Sequence, residues 1–313
     1  MKPRILQQGS HPAYEALLVQ EFDVHPLYKE IDPKAFLAQH GGEFVGLATT
    51  AKWGADEALM AALPNLQVIS SFGVGYETID LEAAKRRGIR VGYTPDVLTD
   101  CVADLAFALV LDVARGTPAA DRFVRRGDWL KGNFPIMTRV SGKKLGIVGL
   151  GRIGSAIARR AGGFDMTIRY HNRKPLAGSP FGYEASLVEL ARWADFLVVA
   201  AAGGAATRRL ISREVLDALG PEGHLINVAR GSVVDEAALV EALESKRIGG
   251  AGLDVFENEP QVPERLLALD NVVLLPHIAS ATHETRQAMA QRVLDNLQAF
   301  FAGEPLPSAA PLP

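Results

Sequence analysis

The sequence has one cysteine, Cys101, in 313 residues, so neither an intrachain disulfide framework nor a cysteine-rich metal site can form. A lone cysteine fits a reducing compartment, and the expected location is the cytoplasm. Charge of one sign is not in excess: 33 Lys and Arg stand against 36 Asp and Glu, for a formal net charge of -3. That balance makes neither nucleic acid nor an anionic membrane an expected partner. Long hydrophobic runs are missing as well. The most apolar stretch, Val102–Ala114, is interrupted by Asp104 and Asp112 and falls short of the roughly 20 apolar residues of a membrane span. Behind Lys2 and Arg4 no apolar segment follows, so no signal peptide is read. There is no internal repeat or low-complexity block. His11, His25, His40, His171, His224 and His283 show no metal-ligand spacing, and no metal is expected.

What is present is an ordinary globular composition, long enough for two domains at about 150 residues each. Short apolar or β-branched runs predict strands at Phe44–Ala48, Val68–Ser71, Arg90–Gly92, Lys144–Val148, Thr167–Tyr170, Phe196–Val199, Leu225–Val228, Gly252–Val255 and Val272–Leu275. Helical spacing lies between them at Leu81–Arg87, Ser155–Gly162, Leu187–Trp193 and Asp235–Ser245. Strands alternating with helices predict doubly wound parallel α/β sheets. Two longer helical segments run from about Asp100 to Arg115 and from about Thr282 to Phe301; the second aligns Met289, Val293, Leu297 and Phe300 on one face. They bracket the glycine-rich segment described next. The economical arrangement is a central domain, 99–280, inserted into an outer domain made of 1–98 and 281–313. The proline-rich end, Pro305–Pro313, reads as an extended tail, surface-bound or frayed.

Leu145-Gly146-Ile147-Val148-Gly149-Leu150-Gly151-Arg152-Ile153-Gly154 is a strand running into G-x-G-x-x-G, with a helix pattern behind it. Gly149 permits a tight turn, Gly151 lets the backbone approach a pyrophosphate, and Gly154 lets helix and strand pack closely. The helix N-terminus adds N–H groups and positive partial charge. A glycine-rich turn without ligand is the plainer reading, but its strand–turn–helix setting favours a dinucleotide. The following strand ends in Tyr170-His171-Asn172-Arg173-Lys174, and no acid occurs between Asp165 and Glu184. NAD sites place an acid there for the ribose 2′-OH. Asn172, Arg173 and Lys174 instead suit a 2′-phosphate, so NADPH is the expected cofactor, with NADH as the alternative.

Three more segments follow predicted strands: Asn227-Val228-Ala229-Arg230-Gly231, Leu253-Asp254-Val255-Phe256-Glu257-Asn258-Glu259-Pro260 and Leu275-Pro276-His277-Ile278-Ala279-Ser280. The carboxyl ends of parallel strands border the ligand crevice of such a sheet. Arg, Glu and His there supply a carboxylate clamp, an orienting anion and a proton donor. Singly, each could be a surface charge or a capped loop histidine; together, downstream of a nucleotide fingerprint, they read as a catalytic group.

These segments, in this order, resemble the D-isomer-specific 2-hydroxyacid dehydrogenases, and the resemblance covers nearly the whole chain. Ser71-Phe72-Gly73-Val74-Gly75-Tyr76-Glu77-Thr78-Ile79-Asp80 is similar to the family's substrate-carboxylate loop. Gly92–Asp100 and Pro276–His283 are most similar to the glyoxylate/hydroxypyruvate and hydroxyphenylpyruvate reductase branch. The resemblance implies two Rossmann-like domains, a homodimer and a small 2-keto acid substrate reduced to the D-2-hydroxy acid. It implies that Arg230 binds the carboxylate and polarises the keto oxygen, that His277 protonates it, and that Glu259 holds His277 in the productive tautomer. Gly149, Leu150, Gly151, Arg152, Ile153 and Gly154 would hold the pyrophosphate, with Val228 and Ala229 lining the cofactor site and Asp254 near the nicotinamide. Val74 and Gly75 would offer amides to the carboxylate, with Gly73, Trp53 and Phe72 as further substrate-binding residues. Trp129 is a candidate wall of a neighbouring subunit's site. The homodimer is also expected from the helix Asp100–Arg115, whose Leu105, Phe107, Leu109, Val110 and Leu111 exceed what one covering face needs.

Three other readings compete. An NAD-dependent phosphoglycerate dehydrogenase often carries a further C-terminal domain. Formate dehydrogenases lack the glutamate that Glu259 supplies. A dinucleotide-sensing binding protein on the same fold would retain similar residues and differ by lacking turnover.

Overall fold

The computed structural model describes residues 2–312; Met1 and Pro313, the ends of the expected domains and tail, lie outside them. The chain divides into two compact units. One runs up to Leu98 and resumes at Ala281; the other is Thr99–Ser280.

The first unit is a five-stranded parallel sheet of β1 (Arg4–Gln7), β2 (Asp23–Pro26), β3 (Gly46–Thr50), β4 (Val68–Phe72) and β5 (Arg90–Gly92), in the order β2-β1-β3-β4-β5. Alternation along β4 shows how both faces are covered. Ile69 joins a core with Leu6, Leu47, Met60, Leu63 and Ala83, under the helices Glu57–Ala62 and Leu81–Arg86. Ser70 points the other way and donates to Val293 O of the helix His283–Phe301 at 3.1 Å. The sheet's winding reverses between β1 and β3, which opens a crevice at their carboxyl ends.

Two strands here escape an apolar pattern, for a visible reason. β1 contains the buried Gln7, whose amide donates to Gly9 O at 2.9 Å and Glu15 Oε1 at 3.1 Å. β2 carries Asp23 and Pro26 on the sheet edge, where one side needs no partner. β3 starts and ends two residues later than predicted, because the buried Thr49 stays in the ladder with its hydroxyl on Gly54 O at 2.8 Å. The proline-rich end is not frayed: Ala309 pairs with Gly92, Ala310 N donates to Val91 O, and Ser308 N donates to Asn296 Oδ1.

The second unit is a seven-stranded parallel sheet: β6 (Lys144–Val148), β7 (Thr167–His171), β8 (Gly182–Tyr183), β9 (Phe196–Val199), β10 (His224–Asn227), β11 (Gly250–Leu253) and β12 (Val272–Leu274). Their order is β12-β11-β10-β9-β6-β7-β8. Leu197, Val199, Leu225 and Leu253 form its core with Leu190, Leu216, Leu239 and Leu243 from the helices between them. Winding reverses between β6 and β9. The helix Thr99–Arg115 packs on the helix Arg152–Gly162 and on β10 and β11. Phe107, Leu109 and Val110 are thereby buried inside this unit. For these three the argument from this helix to a dimer is corrected, since they have a covering partner in the same chain; Leu105 and Leu111 are half-buried.

β10 begins with His224, 7% exposed, stacked on Phe196 at 5.1 Å, its Nδ1 buried without a hydrogen-bond partner. Burial holds the pKa of this histidine below its ordinary value of 6.5, against the opposing pull of Asp195 and Glu222. The unfolded chain therefore takes up a proton near pH 6.5 that the folded chain refuses, and stability falls as pH drops through that value. Each pH unit below it is expected to cost up to about 1.4 kcal/mol until the folded state also protonates. Thermal melts from pH 8 to 5 check this: His224→Phe should flatten the acid side of the profile, and an unchanged profile would exclude His224 as the cause.

Candidate active site

β6 delivers the chain into the glycine turn. Gly149 has φ +94°, and a Cβ there would lie 2.6 Å from Ala201 N, so the turn packs on the chain leaving β9. Around Gly151, the N-cap of the eleven-residue helix Arg152–Gly162, a Cβ would meet nothing within 4 Å. The close-packed position and the open one fall where a pyrophosphate site needs them, so these residues fit a dinucleotide. Asn172 follows β7 and accepts from Leu150 N through Oδ1 at 2.8 Å, which ties the end of β7 to the glycine turn. Arg173 and Lys174 stand exposed next to it. The nearest acid downstream, Glu184, accepts from Ser186 N at 3.2 Å.

Arg230, Asp254, Glu259 and His277 follow β10, β11 and β12. Arg230 is fixed through its neighbours: Asn227 Nδ2 donates to Arg230 O at 3.0 Å, while Ala229 N donates to Asn227 Oδ1 at 3.0 Å. Its Nη1 donates to Ala229 O at 2.8 Å. The next residue must be glycine, because a Cβ on Gly231 would sit 1.9 Å from the Phe256 carbonyl carbon. That contact brings the segment after β11, with Glu259, beside the one after β10. Val228 and Ala229 are buried at the end of β10.

Glu259 accepts from Phe256 N at 3.1 Å through Oε1 and meets His277 Nδ1 at 2.8 Å through Oε2. A carboxylate only accepts, so Nδ1 carries the proton and Nε2 faces away from Glu259. Burial opposes ionisation of Glu259, but the His277 hydrogen bond and charge, the Phe256 amide and Arg230 together hold its pKa below the ordinary value. His277 itself has φ +55°, a left-handed conformation uncommon for non-glycine residues. Asp254 keeps it there. Asp254 is 0% exposed; its carboxylate accepts from Ile278 N at 2.7 Å and Ala279 N at 2.9 Å, while His277 N donates to Asp254 O at 2.9 Å. Burial pushes the Asp254 carboxyl up, against those two amides, which favour the anion. The sequence reading placed Asp254 near a nicotinamide; it did not anticipate this hold on the His277 loop, which only the pairing of β11 with β12 reveals.

In the other unit, Trp53, Gly73, Val74 and Gly75 gather at the carboxyl ends of β3 and β4. Trp53 is 54% exposed and lies against Gly9, where a Cβ would come within 2.4 Å of its Nε1. Gly73 is held by Thr94, its N donating to Oγ1 at 3.0 Å and its O accepting from Thr94 N at 2.9 Å. Phe72 departs from expectation. It is 4% exposed, with His11 at 4.0 Å, Tyr14 at 5.6 Å and Arg286 over its ring at 5.5 Å. It supports the loop from below instead of facing a substrate. His11 and Arg286 were not foreseen here, since they sit 61 and 214 positions away in sequence. Among the described residues no group of His, Cys, Asp or Glu is placed to hold a metal, and no helix is long and apolar enough to cross a membrane.

A dinucleotide turn on β6 and a histidine–carboxylate pair beyond β11 and β12 are the equipment of a nicotinamide-dependent oxidoreductase. Comparison with known proteins narrows this class. The family model for "D-isomer specific 2-hydroxyacid dehydrogenase, NAD binding domain" matches residues 107–279. Hydroxyphenylpyruvate reductase of Plectranthus scutellarioides is 49% identical over 292 residues, covering 93% of each chain. The crystal structure of a 2-hydroxyacid dehydrogenase from Ketogulonicigenium vulgare superposes with a TM-score of 0.94 at 48% identity, covering 99% of both chains. That of an NADPH-dependent glyoxylate/hydroxypyruvate reductase from Sinorhizobium meliloti, in complex with NADP and malonate, gives 0.91 at 44% identity, covering 99% of this chain and 97% of that one. The chain belongs to the D-isomer-specific 2-hydroxyacid dehydrogenase family and is an NAD(P)-dependent oxidoreductase.

Proposed function

We propose that this protein reduces small 2-keto acids of the glyoxylate and hydroxypyruvate type to D-2-hydroxy acids, preferring NADPH. The observation that supports the chemistry is the 2.8 Å contact of His277 Nδ1 with Glu259, which leaves Nε2 as the ring nitrogen proposed to deliver the proton. NADPH, when bound, supplies hydride to C2 of the keto acid. Arg230 takes the substrate carboxylate with its planar fork and draws electron density toward the keto oxygen. His277 gives that oxygen its proton from Nε2, and Glu259 balances the imidazolium charge before transfer. Asp254 keeps the His277 loop in its left-handed turn, and its place at the nicotinamide end remains part of this proposal. Val74 and Gly75, with Trp53 following β3 in the same unit, are proposed substrate-binding residues of the first unit. The lone cysteine suits a reducing, cytoplasmic setting.

The preference for NADPH is supported by Arg173 and Lys174 beyond β7, by Glu184 being occupied at Ser186, and by the NADP bound to the Sinorhizobium meliloti relative. A charge-assisted contact contributes about 1.5–3 kcal/mol, so Arg173→Ala should raise the NADPH KM about tenfold or more and leave NADH nearly unchanged. Initial rates with glyoxylate, hydroxypyruvate, pyruvate, phenylpyruvate and hydroxyphenylpyruvate, each with both cofactors, test the reading. Equal efficiency with NADH and NADPH would overturn the cofactor assignment.

The proposed assembly is a homodimer. Its support is the cluster of exposed apolar side chains Val124, Trp129, Leu130, Ile136 and Met137, with Trp129 66% exposed. Such a cluster on one short stretch of chain is a liability on an isolated molecule. Light scattering at micromolar concentration should give twice the chain mass; a monomer would refute this.

A further inference from the structure

The two cations proposed to select NADPH stand on a turn, Asn172–Leu176, that leaves β7 and is exposed from Arg173 onward. An exposed turn holds long side chains poorly, and ordering them on binding costs affinity unless the backbone beneath is already set. Here it is set by two tyrosines that lie outside the turn. Tyr170, on β7, is fully buried, and its hydroxyl accepts from Leu176 N at 2.8 Å. Tyr183, on β8, donates its hydroxyl to Asn172 O at 3.2 Å. The two bonds grip the turn at its two ends and leave Arg173, Lys174 and Pro175 between them.

The pairing of β7 with β8 explains how both hydroxyls reach the same turn. Tyr170 and Tyr183 are register partners, and their rings lie 5.5 Å apart. Glu184 N donates to Tyr170 O at 2.8 Å, and His171 Nδ1 lies 3.0 Å from Glu184 O, which fixes the base of the loop. β8 is only two residues long and exposed, so it adds little apolar burial to the unit. A buried tyrosine hydroxyl also needs a partner, and Tyr170 finds one in the backbone of this turn. The Asn172 side chain continues the connection to Leu150 of the glycine turn.

We infer that Tyr170 and Tyr183 are positioning residues that clamp the Asn172–Leu176 turn so that Arg173 and Lys174 are presented together to the 2′-phosphate. The inference rests on the proposed preference for NADPH. Neither tyrosine touches the cofactor; each acts through the backbone of the turn.

Steady-state KM values for NADPH and NADH in Tyr170→Phe, Tyr183→Phe and the double variant test the clamp. Losing one such hydrogen bond should raise the NADPH KM about two- to tenfold, with the NADH KM and kcat unchanged. In an Arg173→Ala/Lys174→Ala background, Tyr170→Phe should add little further to the NADPH KM, because both side chains it positions are gone. If the tyrosines only stabilise the fold, melting temperature falls while the NADPH-to-NADH preference stays at the wild-type value, and the clamp is refuted. Multiplying effects of Tyr170→Phe and the Arg173→Ala/Lys174→Ala pair would refute it equally. Tyr183 is exposed, so Tyr183→Phe carries the test if Tyr170→Phe folds poorly. A wild type without NADPH preference would overturn the cofactor reading, and the clamp with it; a wild type that prefers NADPH, with unaltered tyrosine variants, overturns the clamp alone.

Discussion

His277→Ala is expected to lower kcat for keto-acid reduction by about 10²–10⁴-fold, the usual contribution of a positioned general acid. Hydride reaching C2 leaves an alkoxide unless a proton arrives with it, and Nε2 of His277 is the proposed source. Glu259→Gln is the more discriminating variant. Its pKa lies below the ordinary carboxyl value, so Glu259 is an anion throughout the neutral range, and its charge would be lost only as pH falls through that lowered value. Glutamine keeps an acceptor for Nδ1–H but removes the charge beside the protonated ring. A hydrogen bond to a charged group contributes about 1.5–3 kcal/mol, so kcat for reduction should fall about tenfold or more, with NADPH affinity little changed. Steady-state kinetics of both variants decide the matter. A wild-type kcat in Glu259→Gln, or near-normal turnover in His277→Ala, would mean that the proton comes from elsewhere.

Arg230→Ala should reduce kcat/KM by a comparable amount. Two charge-assisted hydrogen bonds to the substrate carboxylate, at roughly 1.5–3 kcal/mol each, correspond to about 10²–10⁴-fold. Arg230→Lys should recover only part of this, since a point charge replaces a planar fork. The loss should appear in the KM for the keto acid as well as in kcat, because the same guanidinium holds the carboxylate and polarises the keto oxygen. NADPH binding, followed by fluorescence titration, should be unaffected. If Arg230→Ala retained a wild-type KM for glyoxylate, the carboxylate would have another partner and the assignment would fail.

Much of this is legible in the sequence, and the physical reasons differ by element. β6 could be read to the residue because it is buried on both faces, so its apolar run is continuous. The glycine turn was legible because its steric demands act on neighbouring residues in the chain. β1 was not, because the buried Gln7 breaks its run and is tolerated only through Gly9 and Glu15. β8 was not, because two residues carry no period at all.

The candidate site divides along the same line. Sequence alone determined its chemical inventory: a guanidinium, a carboxylate and an imidazole behind strands, an open glycine turn, and cations where an acid would select NAD. Local pattern suffices for that, since each residue type sits at the end of an apolar run. The tertiary structure decided which atoms do what. It put Nδ1 of His277 on Glu259, set both oxygens of Asp254 to holding the His277 loop, turned Phe72 into the core, and covered Phe107, Leu109 and Val110 within their own unit. These are contacts between residues 18 or more positions apart, as with Glu259 and His277, or between neighbouring strands. A one-dimensional pattern carries no term for them, and only packing sets their distances.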